Sequence, residues 1–177
     1  NDAPTLANLD AKTVAENAAA SVIDSAVTFG DVDSSDLSGG TVTVSGLDSS
    51  DVVSIATGVG HSSGAIQRSS NNVQVSDGSS WTTIGTVGTG GGTTGSGETL
   101  VITLNSAATP TNTDALLQAL TFYNNDDSPT GSRTLSMTVT DGDGGTTGGQ
   151  TVVVSVTAAN DAPTLANLDA KTVAENA

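Results

Sequence analysis

The stretch RTLSMTVTDGDGGTTGGQTVVVSVTA, residues 133–158, decides the fold class of this chain. In its first part, apolar Leu, Met and Val alternate with Thr and Ser, which is the period of a strand with one buried face. Its last part is rich in Val, and the Asp and Gly residues of DGDGGTTGG between the two parts are typical of a turn. The stretch therefore predicts strands over 133–140 and 150–158, joined by an acidic turn.

Short segments of the same kind recur along the chain and are separated by turns rich in Gly, Ser and Asn. They predict further strands over 4–15 (with a break near Asn8), 21–29, 41–45, 51–56, 72–76, 81–87, 98–105 and 121–123. One helix is predicted over 113–120 (TDALLQAL), capped by Thr113. Many short strands with a single short helix indicate an all-β fold, an antiparallel β-sandwich.

Residues 58–97 exceed what a minimal sandwich needs. We interpret them as an inserted hairpin, 72–76 with 81–87, flanked by loops over 58–70 and 88–97. The insertion contains Trp81, which is the only tryptophan of the chain. Exposed aromatic side chains and a cleft near it would favour a second interpretation, in which the insertion binds a carbohydrate or a protein.

One stretch occurs twice: NDAPTLANLDAKTVAENA is identical at residues 1–18 and 160–177. We expect residues 1–159 to form one complete unit of a tandem array and 160–177 to open the next unit. Repeated modules usually space, bind or assemble, so we expect no enzymatic activity. Without the rest of its unit, the segment 164–177 should fray or take the first-strand position of a second molecule, and the chain should otherwise be monomeric.

The charge balance limits the partners. Asp and Glu number 19 and Lys and Arg only 4, so the net charge is −15. Nucleic acids and anionic membrane surfaces are therefore unfavourable partners, and no apolar run is long enough to enter a bilayer. The chain has no Cys and only one His, His61, which argues against disulfides, zinc sites and thiol chemistry.

Alternating strand directions sort the acidic turns to the two ends of the sandwich. We call one the leading end, which comprises Asn1, Asp2, Asp31, Asp33, Asp141 and Asp143. The other is the trailing end, which comprises Glu16, Asp126, Asp127, Asn160 and Asp161. Clustered carboxylates repel one another, and Ca²⁺ takes about 6–8 oxygen ligands, so the pattern predicts Ca²⁺ at these ends.

A turn without metal is the alternative for each of these segments. The DGDGG turn and the Asp126–Asp127 pair both satisfy ordinary turn chemistry. Four other carboxylates are predicted only to solvate the surface: Asp36, Asp48, Asp51 and Asp77.

Several of these motifs resemble those of cadherin repeats. The linker AANDAP (158–163) is similar to their DxNDNxP linker, and TVAEN (13–17) to the Glu-Asn motif of their first strand. GDVD (30–33) and VTDGDGG (139–145) resemble their two acidic turns. The whole unit resembles more closely the bacterial cadherin-like, VCBS-type Ig-like repeats of giant RTX adhesins.

This resemblance implies an Ig-like sandwich that acts as a structural extender, rigidified by Ca²⁺ at its junctions with neighbouring repeats. It also implies export by type I secretion to the surface of a Gram-negative bacterium. The positions that carry over as ligands are Glu16, Asp31, Asp33, Asp141, Asn160 and Asp161.

Overall fold

The computed structural model describes residues 1–88, 97–166 and Glu175. Within them the all-β class is confirmed, with one short helix. The elements are β1 (Thr5–Ala7), β2 (Lys12–Ala15), β3 (Ser21–Val22), β4 (Thr28–Gly30), β5 (Thr41–Ser45), β6 (Asp51–Ile55), β7 (Ile66–Ser69), β8 (Asn72–Ser76), β9 (Trp81–Val87), β10 (Leu100–Leu104), α1 (Pro110–Gln118), β11 (Leu120–Asn124), β12 (Ser132–Thr140) and β13 (Gln150–Thr157). No described helix is long and apolar enough to cross a bilayer.

The strands form one large sheet and two small ones. The large sheet has the order β2-β13-β12-β5-β10-β9-β8-β7, the second sheet is β3-β11-β6, and β1 pairs with β4 alone. Apolar side chains of these sheets and of α1 form one buried core, in which Leu135, Phe122 and Leu116 are fully buried. The two strands predicted from the stretch 133–158 are confirmed as an antiparallel pair, with Leu135 opposite Val152.

The first predicted strand contributes to two sheets. It breaks at Asn8, as expected, where φ is 60°. Before the break β1 pairs with β4, and after it β2 lies parallel to β13, with Val14 opposite Val156. This pairing departs from a purely antiparallel sandwich, and it places the start of the unit beside its last strand.

Two local predictions were wrong. The strand over 21–29 is divided into β3 and β4 by a turn at Asp24, whose carboxylate accepts hydrogen bonds from the N–H groups of Asp10 and Ala26. The helix begins at Pro110 rather than Thr113, because Thr109 is its N-cap and accepts a bond from Asn112 N–H at 3.2 Å. Proline suits the first turn of a helix, where its missing N–H has no helical partner.

The insertion extends the large sheet. The hairpin of β8 and β9 is confirmed, but the predicted loop over 58–70 contains the strand β7. Because β9 pairs with β10, these three strands add directly to the sandwich and bury Ile66, Val73 and Ile84 in its core. The loop predicted over 88–97 lies outside the described residues except at Gly88 and Gly97, and neither belongs to a strand.

Residues 160–166 follow β13 as exposed chain without helix or strand. Most of the segment 164–177, for which fraying or strand exchange was expected, lies outside the described residues.

Candidate metal centre

The first two residues lie between the acidic turns of the leading end. Asn1 Nδ2 donates to Asp141 Oδ2 at 3.0 Å, and Asp2 N–H donates to Asp33 Oδ2 at 2.8 Å. The bond from Asp2 N–H is the main reason why the pKa of Asp33 is lowered. The structure thus brings together the predicted residues from three separate parts of the chain.

Asp141 is the centre of the DGDGG turn and is only 1 % exposed. Its Oδ1 accepts the N–H groups of Asp143 at 2.8 Å and Gly145 at 2.9 Å, while Oδ2 accepts Asn1. Burial acts to raise the pKa of Asp141, but these hydrogen bonds outweigh it and the pKa is lowered. A Cβ at Gly145 would overlap Asp141 Oδ2, which explains the glycine. Asp141 therefore organises the turn by accepting hydrogen bonds from the backbone N–H groups of that turn. Asp143 lies beside it and is exposed.

The turn after β4 has two oxygens without partners. Asp31 Oδ1 accepts from the N–H groups of Asp33 and Ser34, at 3.3 and 3.2 Å. Asp31 Oδ2 and Ser34 Oγ are shielded from solvent and have no hydrogen-bond partner. Carboxylate and hydroxyl oxygens suit Ca²⁺ chemically.

The trailing end is built around Glu16, which is 3 % exposed. Its N–H donates to Thr157 O at 3.0 Å, and its Oε1 accepts Ala159 N–H at 2.7 Å. Glu16 therefore holds the chain where it leaves β13. Its second oxygen, Oε2, is buried without a hydrogen-bond partner. A buried carboxylate is costly unless a cation or a donor compensates it, so this oxygen fits a metal ligand.

The other trailing residues are less enclosed. Asp127 Oδ1 accepts from Asn17 Nδ2 at 2.8 Å, which places this carboxylate beside the residue that follows Glu16. Asp126 Oδ1 caps its own turn by accepting Ser128 N–H at 3.0 Å. Asn160 and Asp161 are exposed, and Asn160 Nδ2 donates to Asp161 O at 3.2 Å.

Neither end is a complete site. The described residues contain no group of three or more His, Cys, Asp or Glu side chains placed to hold a metal ion. The types of ligand at both ends therefore suit Ca²⁺, whereas the number of side chains at either end falls short of its usual shell.

Sequence reasoning missed a buried ion pair near the trailing end. Asp51, predicted as a solvating charge, has a fully buried side chain, and Arg133 Nε lies 2.9 Å from its Oδ2. Asn124 Nδ2 donates to Asp51 Oδ1 at 2.8 Å. The sequence contained a signal for the burial of Arg133, because this residue has the same parity along β12 as the inward-facing Leu135 and Met137.

The insertion carries a ring pair and a cleft. His61 and Trp81 have ring centroids 4.8 Å apart, and His61 Nδ1 lies 3.3 Å from Ser76 Oγ. A cleft of about 380 Å³ separates the insertion from the start of α1, and its lining includes Asp77 and Asn112. Neither Trp81 nor His61 lines this cleft.

No protein-family model, curated protein or solved structure matches the chain.

Proposed function

We propose that this chain is a structural extender repeat of a large bacterial surface adhesin, rigidified by Ca²⁺ at the junctions between repeats. The observation that carries the proposal is the trailing end, where Glu16 binds Ala159 N–H and keeps a second buried oxygen open. Secretion to the cell surface follows from the same resemblance and belongs to the proposal.

The repeated stretch supports a junction in which no free linker separates neighbouring units. Asn160 and Asp161 are the sequence copies of Asn1 and Asp2, which lie between the two acidic turns of their own unit. Ala159 is bound to Glu16, and the next residue would enter the leading end of the following unit. Adjacent residues would then belong to two different domains, which leaves the linker little freedom.

The ligands of such a junction come from both units. Glu16, Asp127, Asn160 and Asp161 would supply the trailing half. The following unit's counterparts of Asp31, Asp33 and Asp141 would supply the leading half, which accounts for the incomplete sets seen within one unit. Bound Ca²⁺ would neutralise these carboxylates and make close approach favourable. At the affinity of about 10⁻⁴–10⁻³ M typical of extracellular modules, such sites fill outside the cell and stay empty inside it.

A chain of two units, made by repeating residues 1–159 before the final stretch, tests the proposal. Small-angle scattering should give an extended shape of fixed length in millimolar Ca²⁺. In chelator the average length should be shorter and the distribution of lengths broad. Mg²⁺ should not replace Ca²⁺, because it prefers a smaller octahedral shell that retains water. Identical scattering in Ca²⁺ and chelator would contradict the proposal.

A second candidate function is binding of a neutral carbohydrate on the sheet surface around Trp81, which is half-buried and lies outside the cleft of the insertion. The half-buried Gln67 and Gln74 are bonded at 3.1 Å, and Trp81 packs on His61. Amides and an aromatic ring are common in sugar sites. Since Trp81 is the only tryptophan, its fluorescence should change on titration with neutral oligosaccharides, and less so in Gln74→Ala. A constant spectrum with glucan, mannan, galactan and chitin fragments would exclude this function.

A further inference from the structure

We propose that the buried ion pair of Asp51 and Arg133 positions the trailing end for metal binding, acting through Asn124. The inference rests on the proposed function, since it assigns the residues that shape the same site. None of the three residues is itself placed as a ligand.

The two paired side chains are buried, and the half-exposed Asp48 places an oxygen of a second carboxylate 3.3 Å from Arg133 Nε. The side chains of Arg133 and Asp51 are 2 % and 0 % exposed. Arg133 Nε contacts both carboxylate oxygens of Asp51, at 3.1 and 2.9 Å, and one guanidinium nitrogen donates to Gly131 O at 2.6 Å. Asp51 Oδ2 also accepts Asp48 N–H at 2.8 Å. The carboxylate is therefore fixed in orientation from several sides.

Asn124 transmits this orientation to the trailing end. Its Nδ2 donates to Asp51 Oδ1 at 2.8 Å, and its Oδ1 accepts Asp126 N–H at 3.0 Å. Its backbone oxygen accepts Asn17 N–H at 2.9 Å. One buried residue thus holds both loops that carry the candidate ligands, the loop of Glu16 and the loop of Asp126.

Asp51 and Asp126 hold the Asn124 amide from its two sides. The Asp51 carboxylate accepts hydrogen bonds only and selects Nδ2, while Asp126 N–H donates and selects Oδ1. With an apolar residue at position 51, the amide would be held on the Asp126 side alone. Buried ion pairs are often no more stabilising than apolar side chains of similar volume, so specifying this orientation gives the pair a role beyond stability.

The double variant Asp51→Val with Arg133→Met separates positioning from stability. Replacing both partners removes the buried charges together but leaves Asn124 Nδ2 without its acceptor, so the double variant should melt below the wild type and above Arg133→Met alone, which keeps an uncompensated buried charge. The double variant should also bind Ca²⁺ more weakly, by up to about the tenfold that follows removal of a direct partner of a metal ligand, because Asp51 acts on the ligands only through Asn124. These variants are made in the first unit of the two-unit chain, whose junction has both halves, and the amide resonance of Ala159, which is bonded to Glu16, reports this end in a Ca²⁺ titration.

Two further variants serve as a second test and as a control for stability. Asn124→Ala keeps the ion pair but removes its link to Asp126, and it should weaken Ca²⁺ binding in the same direction. Ile84→Val, in the buried part of the insertion, should lower the melting temperature without changing the Ca²⁺ affinity.

The outcomes are distinguishable. Equal Ca²⁺ affinity in the wild type and a well-folded double variant would overturn the inference and leave the proposed function standing. A wild-type Ala159 resonance that ignores Ca²⁺ in the first unit of the two-unit chain, where the junction has both halves, would overturn the proposed function instead. Hydrogen exchange in chelator then decides the inference without metal: the Asp126 amide, which is bonded to Asn124 Oδ1, should exchange faster in the double variant, and unchanged exchange would overturn it.

Discussion

Replacing Glu16 by Gln should change stability in opposite directions with and without Ca²⁺. The substitution keeps the size of the side chain and the oxygen that accepts Ala159 N–H. It exchanges the unpartnered, buried Oε2 for an amide nitrogen and removes the negative charge. Without a cation, a buried charged acceptor lacking a partner costs more than a neutral amide in the same place.

The size of both effects follows from this geometry. In chelator, Glu16→Gln should gain about 1 kcal/mol, because the penalty for an unpaired buried group is about 1–3 kcal/mol and larger for a charged one. In 10 mM Ca²⁺, a site with a Kd of about 10⁻⁴–10⁻³ M would stabilise the wild type by roughly 1.4–2.7 kcal/mol. For a domain of this length each kcal/mol corresponds to about 2–4 °C in Tm.

Thermal unfolding of the two-unit chain in chelator, Ca²⁺ and Mg²⁺, with the substitution in the first unit, measures these differences, because its junction has both halves. The variant should melt a few degrees above the wild type in chelator and lose most of the Ca²⁺-dependent rise. Asp10→Asn is the matched control, because it removes one exposed charge away from both candidate ends and should leave that rise unchanged. A variant that melts lower in chelator and keeps the full Ca²⁺ response would refute the reasoning.

Three further predictions concern parts of the fold away from Glu16. Because the pKa of Asp141 is lowered in the folded state, its contribution is present above the unfolded value of about 3.9 and is lost as the pH falls through the lower folded value. Tm in chelator should therefore fall below about pH 4, and less steeply in Asp141→Asn, as melts from pH 3 to 7 would show. Thr109→Ala should cost about 1 kcal/mol in urea unfolding, because it removes the N-cap of α1. Gly142→Ala should cost more than about 1 kcal/mol in the same assay, since φ is 92° there and a Cβ would overlap Ser38 O.

Periodicity predicted the strands wherever one face of a strand is buried. Residues 41–45 and 133–140 alternate because their inward side chains meet a core and their outward side chains are Thr and Ser. The hairpin of 72–76 and 81–87 was predictable for the same reason. The strand Ile66–Ser69 was not, because IQRS has one buried apolar residue and gains its place from pairing with β8.

Turns made by side chains were harder to predict. The segment 21–29 has the composition of one strand, yet the buried Asp24 binds two backbone N–H groups and bends the chain between β3 and β4. The helix start was displaced because both Thr109 and Thr113 are acceptable caps in sequence. Pro110 decides between them, since proline fits the first turn and Thr113 is then buried inside the helix.

The acidic residues show that the number of charges does not indicate which carboxylates are buried. Asp51 and Asp48 differ little in sequence context, but the side chain of Asp51 is fully buried against Arg133 while that of Asp48 is 53 % exposed. What separates them is strand position: Asp51 opens β6 opposite Asn124, and Asp48 lies in the preceding turn. Arg133 is one of only four basic residues, and its place on the inward face of β12 indicated a buried ion pair better than the sequence around any single carboxylate.

The two ends of the unit differ in what they need from a cation. At the leading end, Asp141 is bonded by the amides of its own turn and by Asn1, so this turn holds its shape without metal. At the trailing end, Glu16 has one oxygen bonded and one buried and open. If junction sites form as proposed, the preorganised Asp141 turn supplies a fixed receptor, and the unpartnered oxygens of Glu16 at the trailing end and Asp31 at the leading end supply the unmet charge that favours binding. Loss of Ca²⁺ should then loosen residues 16–17 and 159–161 first, while the turn at 141–145 stays protected in hydrogen exchange.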